Sequence, residues 1–208
     1  MPSATVGDQE LKAFFIKLDE YEYWLSTVEG IRVQFSGVIS SVYPSLVKII
    51  DSGKSNIRLN GFLIKFESGY IGYDLYDDTL YLRVSGTFLS RWRPAPGDEM
   101  AGESELKNDR GRIILYKPSR IDITRNGAQP LIDYSKALVG KATGAEVLDD
   151  ISLCRDCPFG ALMDIHQIHP RPNNYRRFYC LRGINNAAAC PVRLTEILNN
   201  QRESITQS

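Results

Sequence analysis

Four cysteines lie close together in the last third of the chain, at a spacing that suits metal binding. They follow the pattern C-x2-C-x22-C-x9-C, and the four are Cys154, Cys157, Cys180 and Cys190. A CxxC pair followed shortly by two further cysteines is a metal-site pattern. Two disulfides or unconnected buried thiols are the alternatives, although disulfides would require an oxidising compartment. The sequence therefore predicts a four-thiolate metal site made by these residues.

The identity of the metal stays open between zinc and an iron–sulfur cluster. Zn²⁺ is the usual occupant of a four-thiolate site, where it stabilises a small region that lacks a core of its own. A proline follows both Cys157 and Cys190, and Cys-Pro steps occur at iron–sulfur ligands, which favours a 4Fe-4S cluster. His166 and His169 form an HxxH motif between the second and third cysteines. Because four thiolates already complete a ligand set, we expect these histidines to be surface residues or neighbours of the ligands.

Charge is balanced over the whole chain but not along it. The chain has 25 basic and 25 acidic side chains, so it has no net charge and does not suit a non-specific coat on a polyanion. Residues 165–195 nevertheless contain five arginines and no acidic residue: Arg171, Arg176, Arg177, Arg182 and Arg193. These arginines either compensate the negative thiolates or, with the interleaved aromatics Tyr175, Phe178 and Tyr179, form a nucleic-acid patch.

Length and composition predict an ordinary globular chain. Its 208 residues are 43% hydrophobic, enough for one mid-sized domain and a small one. No apolar run approaches the roughly 18 residues that a membrane span needs. The opening residues 1–10 are polar and show no secretory signal, so we expect a cytoplasmic protein.

Periodicity divides the chain into four parts. Residues 10–29 have apolar side chains at helical spacing, and they predict an amphipathic helix in an N-terminal part, 1–30, that packs on the next domain. Residues 31–124 then alternate with period two between turn signals. The predicted strands are 31–43, 57–67, 79–90, 98–107 and 112–123. A linker with a short helix or turn is expected over 125–150, and the metal module with a terminal helix over 151–208.

The predicted strands and their turns resemble the OB-fold family of nucleic-acid-binding barrels. The resemblance covers residues 31–124 and is carried by Gly37, by the acidic approach at 73–78 and by the stretch 96–123. In that stretch Pro96-Gly97-Asp98 opens the fourth strand, and residues 108–111 turn into the last one. The resemblance implies a mainly β fold with flanking helices, in which a five-stranded OB-like barrel precedes the cysteine module.

A nucleic-acid surface is predicted around the third strand. Alternation places Leu80, Leu82 and Val84 inward, and Tyr81 and Arg83 outward. Arg91, Trp92 and Arg93 follow directly. By resemblance to the family, bases would stack on Tyr81 and Trp92. The phosphates would then meet six arginines: Arg83, Arg91, Arg93, Arg176, Arg177 and Arg182. The alternative is that both aromatic rings are packed beneath the N-terminal helix or the metal module.

Catalytic motifs are weak in this sequence. Two histidines beside a cysteine cluster offer little for a Ser-His-Asp arrangement, and Gly140-Lys141 lacks the rest of a phosphate-binding loop. Four thiolates would also leave no open position for a catalytic water. We therefore expect a non-catalytic accessory protein that binds single-stranded or structured DNA or RNA within a protein complex. A protein-docking module with a structural metal, or an iron–sulfur redox or sensing protein, are the alternatives.

Overall fold

A computed structural model shows a mainly β protein. It describes residues 7–126, 134–148, 151–154, 157 and 159–191. The α-helices within these ranges are α1 (Asp8–Val28), α2 (Gly86–Trp92) and α3 (Tyr134–Thr143). Two short 3-10 helices, Ile151–Cys154 and Ala187–Ala189, lie near the cysteines. The terminal helix expected near the end of the chain lies outside the described residues.

The strands belong to one sheet. They are β1 (Arg32–Asp51), β2 (Lys54–Phe66), β3 (Gly69–Ile71), β4 (Asp74–Tyr76), β5 (Leu80–Val84), β6 (Glu99–Asp109), β7 (Arg112–Thr124), β8 (Ala145–Glu146), β9 (Gly160–Gln167) and β10 (Asn173–Cys180). Their order is β2-β5-β7-β6-β1-β9-β10-β8, and β1 also pairs with β2. Strand β5 runs parallel to β7, and β9 runs parallel to the second half of β1. Strands β3 and β4 form a small side pair against β1.

The first hairpin is longer than the sequence predicts. Residues 44–56, which were assigned to no strand, extend β1 and β2 to a turn where Asp51 pairs with Lys54. Ser52 and Gly53 both have positive φ, at 48° and 79°, which suits a two-residue hairpin turn. The extension gives β1 room to pair with β6 along its first half and with β9 along its second.

The predicted strand over 79–90 is wrong in its second half. Strand β5 ends at Val84, and residues 86–92 form helix α2 instead. Ser85 explains the switch, because its side-chain oxygen accepts a hydrogen bond from the backbone N–H of Phe88 at 3.1 Å and caps the helix. The adjacent apolar residues Phe88 and Leu89 then lie on one helical face rather than on opposite faces of a strand.

Helix α1 matches the predicted helix closely and packs through its second half. Trp24 stacks on Tyr76 with ring centroids 5.3 Å apart, and Leu25 and Val28 lie against the core. The first half differs from the prediction of a packed helix, since Phe14 is 59% exposed and its apolar neighbours are similarly open. None of the helices in the described part of the chain has the length and apolarity to cross a membrane.

The C-terminal strands extend the sheet that the N-terminal strands begin. Leu46 of β1 pairs with Met163 of β9, and β10 pairs with both β9 and β8. Helix α3 and β8 lie within the stretch predicted as a linker. One cluster of buried residues contains side chains from β1, β2, β5, β7, β9 and β10. The two parts of the chain therefore share a core.

The central strands are buried on both faces. All residues from Phe62 to Phe66 in β2 are buried, as are Ile113, Ile114 and Leu115 in β7. Because successive side chains of a strand point to opposite faces, each of these strands is covered on two sides. Helix α3 contacts β2, and its Ala137 belongs to the shared core. Helix α3 therefore covers part of one face of the sheet at β2.

Candidate functional site

Tyr81 and Arg83 are the two outward-facing residues of β5. Leu80, Leu82 and Val84 are buried, whereas Tyr81 and Arg83 are partly exposed, which confirms the predicted alternation. Tyr81 lies beneath the guanidinium of Arg112, whose central carbon is 5.9 Å from the ring centroid. Burial raises the pKa of the Tyr81 hydroxyl. Tyr81 and Arg83, the two outward residues that we predicted as ligand contacts, are therefore both partly buried, and Tyr81 has Arg112 over its ring.

Arg112 belongs to a cluster of arginines and aspartates that joins the β6–β7 turn to the β9–β10 hairpin. We call it the arginine–aspartate cluster; its members are Asp109, Arg110, Arg112, Asp164 and Arg176. Arg176 reaches both acids, at 2.7 Å from Asp109 and 2.8 Å from Asp164, and its side chain is 14% exposed. Its guanidinium also donates to the carbonyl oxygen of Asp109 at 3.1 Å. Arg176 thus connects two hairpins that are distant in sequence.

Charge within this cluster controls the ionisation of Asp109. Burial raises the pKa of its carboxyl, but a hydrogen bond from Arg112 and the charges of Arg176, Arg112 and Arg110 lower it by more. The net result is a pKa below the ordinary value. Asp109 is therefore ionised over a wide pH range, and its own ion pairs with Arg112 and Arg176 persist into mild acid.

A cleft of about 540 Å³ opens where β5 ends and α2 begins. We call it the β5 cleft, and its walls include Gly61, Arg83, Ser85, Phe88, Tyr116 and Lys117. The guanidinium of Arg83 lies 5.7 Å from the ring centroid of Tyr116 and donates to the carbonyl oxygen of Asn60 at 3.1 Å. The ammonium of Lys107 lies 5.6 Å from the same ring. Glu105 pairs with Lys107 at 3.1 Å and with Lys117 at 2.8 Å, so the cleft combines a partly compensated positive charge with aromatic surface.

The aromatic surface continues from the β5 cleft along α2. The rings of Phe88 and Trp92 have centroids 6.1 Å apart, and the guanidinium of Arg91 lies 5.4 Å from the Trp92 ring. Arg93 ends the helix with a φ of 44°, and its side chain is exposed. The predicted residues Arg83, Arg91, Trp92 and Arg93 thus lie on or beside one continuous surface. We call this surface, together with Phe88, Tyr116 and Lys117, the cation–aromatic strip.

The remaining predicted arginines lie on the C-terminal strands and their following turn. Arg177 is 57% exposed, its guanidinium is 5.4 Å from the Tyr175 ring, and it forms a long ion pair of 3.4 Å with Glu146. Arg182 is exposed and covers the ring of Phe159, at 3.9 Å from its centroid. Arg193 lies outside the described residues. The arginine-rich stretch is therefore divided between a buried ion-pair cluster and an exposed surface.

The four cysteines form no disulfide with one another, and each is partly buried. Burial raises the pKa of the Cys157 thiol, and the charges of Cys180 and Cys190 add to the effect. Within the part of the chain that the structure describes, no group of three or more His, Cys, Asp or Glu side chains is arranged to hold a metal ion. Metal binding by the four cysteine side chains therefore remains a prediction from the sequence.

The two histidines have partners away from the cysteines. His166 Nδ1 lies 2.7 Å from the side-chain oxygen of Asn174, and His169 Nδ1 lies 2.7 Å from a carboxylate oxygen of Asp51. His169 is 63% exposed. The hydrogen bond from His169 is also the main reason that the pKa of Asp51 is lowered. His166 therefore bonds to a residue of β10, and His169 bonds to the last residue of β1.

The sequence alone did not identify several residues of the cation–aromatic strip. Phe88 was assigned to a strand, and neither Tyr116 nor Lys117 was selected. A signal for the last two existed, since Tyr116-Lys117-Pro118 interrupts the apolar run of the final strand. The acidic partners of Arg176 carried no comparable signal, because Asp109 is 67 residues away and Asp164 lies on a strand, β9, that the sequence did not predict.

Comparison with known proteins gives no relative for this chain. No family model matches it, and neither the curated proteins nor the solved structures contain a significant match.

Proposed function

We propose that this chain is a non-catalytic nucleic-acid-binding protein built on an OB-like barrel. Five strands support the barrel, because their pairings run from β1 through β2, β5, β7 and β6 and return to β1. A five-stranded circuit of this kind is typical of OB-like barrels, whose second and third strands bind oligonucleotides. Here those strands correspond to β2 and β5, and both contribute to the β5 cleft.

The observation that carries the proposal is the cation–aromatic strip. Arg83 and Arg91 supply positive charge along it, Lys117 adds a cation that is paired with Glu105 at 2.8 Å, and Phe88 and Trp92 supply rings between them. Proteins that bind single strands combine a positive groove with rings on which bases stack. We propose that bases stack on Phe88 and Trp92 while the cations meet phosphates.

The strip narrows the set of residues that we expect to touch the ligand. Arg176 is engaged by Asp109 and Asp164, and Tyr81 lies beneath Arg112, so we place neither residue among the ligand contacts. Arg177 and Arg182 form a second exposed surface on the C-terminal strands and turn, where a longer strand could continue. The zero net charge of the chain limits non-specific attraction, so binding should depend on these local contacts. An accessory role in a larger complex fits a protein whose surface binds without reacting.

Fluorescence anisotropy of labelled single-stranded DNA and RNA across a salt series tests the proposal. The variant Arg83→Ala/Arg91→Ala should bind more weakly, and its slope of log K against log salt should be shallower by about 1.4, since each single-strand phosphate contact contributes about 0.7. A matched control, Lys54→Ala/Arg58→Ala, removes the same charge from the tip of the β1–β2 hairpin. Equal losses in both variants would contradict a site at the strip, and no binding by the parent at low salt would end the proposal.

A second candidate function, docking to another protein, is favoured by the first half of α1. Four apolar side chains there are between 45% and 60% exposed: Leu11, Phe14, Phe15 and Ile16. Helix α1 also has five acidic and two basic side chains, a formal charge of −3. By charge complementarity, the partner that suits this face is an amphipathic helical segment with basic flanks.

Binding of designed peptides separates this candidate from the first. A labelled amphipathic Leu/Lys helix should bind the parent protein, and binding should weaken in Phe14→Ser/Phe15→Ser, while a Leu/Glu helix should not bind. The matched control is Tyr23→Ser, which changes an exposed aromatic residue of the same helix outside this apolar group. If the Leu/Lys peptide binds the parent and the double variant equally, the attraction is electrostatic only and the apolar face is not a docking site.

A further inference from the structure

The end of the β9–β10 hairpin brings two cysteines together through its backbone. Cys180, the last residue of β10, pairs with Gly160, the first residue of β9. The N–H of Gly160 in turn donates to the carbonyl oxygen of Cys157 at 2.9 Å. Cys157 is therefore held one tight turn away from Cys180, although the two are far apart in sequence.

Both of these cysteines begin the same kind of turn. The N–H of Gly183 donates to the carbonyl oxygen of Cys180 at 3.1 Å, as that of Gly160 does to Cys157. A side chain at Gly160 would place its Cβ 2.7 Å from the carbonyl oxygen of Cys154. One at Gly183, where φ is +77°, would place its Cβ 2.7 Å from the carbonyl oxygen of Thr143. The glycines thus let the backbone close tightly around the thiols.

The other two cysteines reach the same end of the hairpin from two 3-10 helices. Cys154 ends the first, and its carbonyl oxygen accepts the N–H of Cys157 at 3.2 Å. Cys190 directly follows the second, and its N–H donates to Ala187 at 3.2 Å. The two short helices contact each other. All four cysteines are therefore gathered at one end of the hairpin by backbone contacts alone.

We propose that these four thiolates bind one Zn²⁺ ion and that the thiols turn onto the ion when it binds. Two cysteine turns at adjacent strand ends, each closed by a glycine, present thiolates to a single ion, and a four-thiolate set satisfies tetrahedral zinc. The backbone N–H groups of Phe159 and Gly160 also bond to the Cys157 sulfur, so this side chain lies against the turn that Gly160 closes. The site goes beyond the proposed nucleic-acid function and does not depend on it.

Binding of the ion has a structural consequence for helix α3, which covers part of the sheet. Helix α3 packs against the Cys180 turn, since a side chain at Gly140 would approach the side chain of Leu181 to 2.9 Å. Thr143 also donates to the carbonyl oxygen of Leu181 at 3.3 Å. An ion that fixes the Cys180 turn therefore fixes the α3 segment that contacts β2. Zinc should stabilise the folded chain because the unfolded chain has no assembled site.

Metal analysis of the purified full chain tests the proposal. We expect one zinc ion per chain, released in proportion to thiols blocked by a mercurial reagent, and a colourless protein. The variant Cys190→Ser should lose most of the zinc, whereas the control Ala188→Ser, two residues away and exposed, should keep it. Iron with visible absorption would overturn the assignment of zinc in favour of a 4Fe-4S cluster. A metal-free protein whose four thiols react freely would overturn the site itself.

A chelator experiment keeps the test valid where the cysteine variant fails to fold. Removal of metal from the parent protein should lower its melting temperature, and added zinc should restore it while added magnesium should not. An unchanged melting temperature after complete zinc removal would contradict a stabilising site. These readouts involve no nucleic acid, so their failure is distinct from a failure of the oligonucleotide experiment.

Discussion

Arg176 shows how partners distant in sequence decide the role of a charged residue. In the sequence it lies in an arginine-rich stretch without acids, which suggests phosphate binding. In the fold it bonds to Asp164 on the neighbouring strand and to Asp109 in the turn between β6 and β7. Its side chain is 14% exposed, whereas that of the adjacent Arg177 is 57% exposed. The two arginines therefore provide a matched pair for separating a structural role from a surface role.

Replacement of Arg176 should reduce stability more than replacement of Arg177. Arg176→Met removes one close arginine partner from each of two partly buried aspartates, Asp109 and Asp164, so we expect a loss of about 2 kcal/mol in the free energy of unfolding. Arg177→Met removes one exposed, long ion pair and should cost less than about 1 kcal/mol. Urea unfolding at neutral pH measures both. Similar losses in the two variants would mean that the arginine–aspartate cluster does not join the hairpins.

The same cluster should make stability depend on acid pH. The pKa of Asp109 is lower in the folded chain than its ordinary value, so its contribution is fully present above the unfolded pKa of about 3.9. That contribution is lost as the pH falls through the lower, folded pKa. The difference in unfolding free energy between the parent and Asp109→Asn should therefore be constant from pH 7 to about pH 5 and narrow below about pH 4. A difference that grows as the pH falls would contradict the assigned direction.

At the scale of the elements, alternation and helical spacing predict α1 and the long strands up to residue 124, but not the C-terminal strands β9 and β10. The helix over 10–29 and the strands that begin at 31, 57, 98 and 112 all correspond to observed elements. The failure at 79–90 has a local cause, because Ser85 caps a helix where the apolar pattern alone could continue a strand. The cation–aromatic strip could not be predicted in full, since Tyr116 meets Arg83 only through the parallel pairing of β5 and β7.

Gly61 allows β2 to pass close to the end of β5 beside the cleft. It has a φ of +87°, and a Cβ there would lie 2.5 Å from the carbonyl oxygen of Val84. Gly61→Ala should therefore reduce stability by about 3 kcal/mol, from backbone strain and a clash together. Gly53→Ala isolates the strain, because Gly53 has a φ of +79° and no atom within 4 Å of the added Cβ; it should cost about 1 kcal/mol. Thermal unfolding compares the two variants. Equal losses of stability would show that the close contact between Gly61 and Val84 does not affect the free energy of unfolding.

At the scale of the whole molecule, the two-sided burial of the central strands decides the architecture. The run Phe62–Phe66 is hydrophobic apart from Lys65, which is itself buried. Such a run indicates a strand covered on both faces, but not what covers it. The structure supplies the answer through long-range contacts, since α3 lies on β2 and β9 pairs with β1. Buried side chains of β7, β9 and β10 belong to one cluster, so the C-terminal strands are part of the same core.

Shared burial should make the two parts of the chain unfold together. Amides of β9, such as that of Ile165, should exchange hydrogen with nearly the same opening free energy as amides of β7, within about 1 kcal/mol, because their side chains occupy one core. Native-state hydrogen exchange at low denaturant measures both sets. If β9 opened at a much lower free energy and with little denaturant dependence, the C-terminal hairpin would be an independent unit. Coincident exchange is the expected result, because Met163 and Ile165 of β9 and Leu115 of β7 belong to one buried cluster, and opening β9 alone would expose part of it.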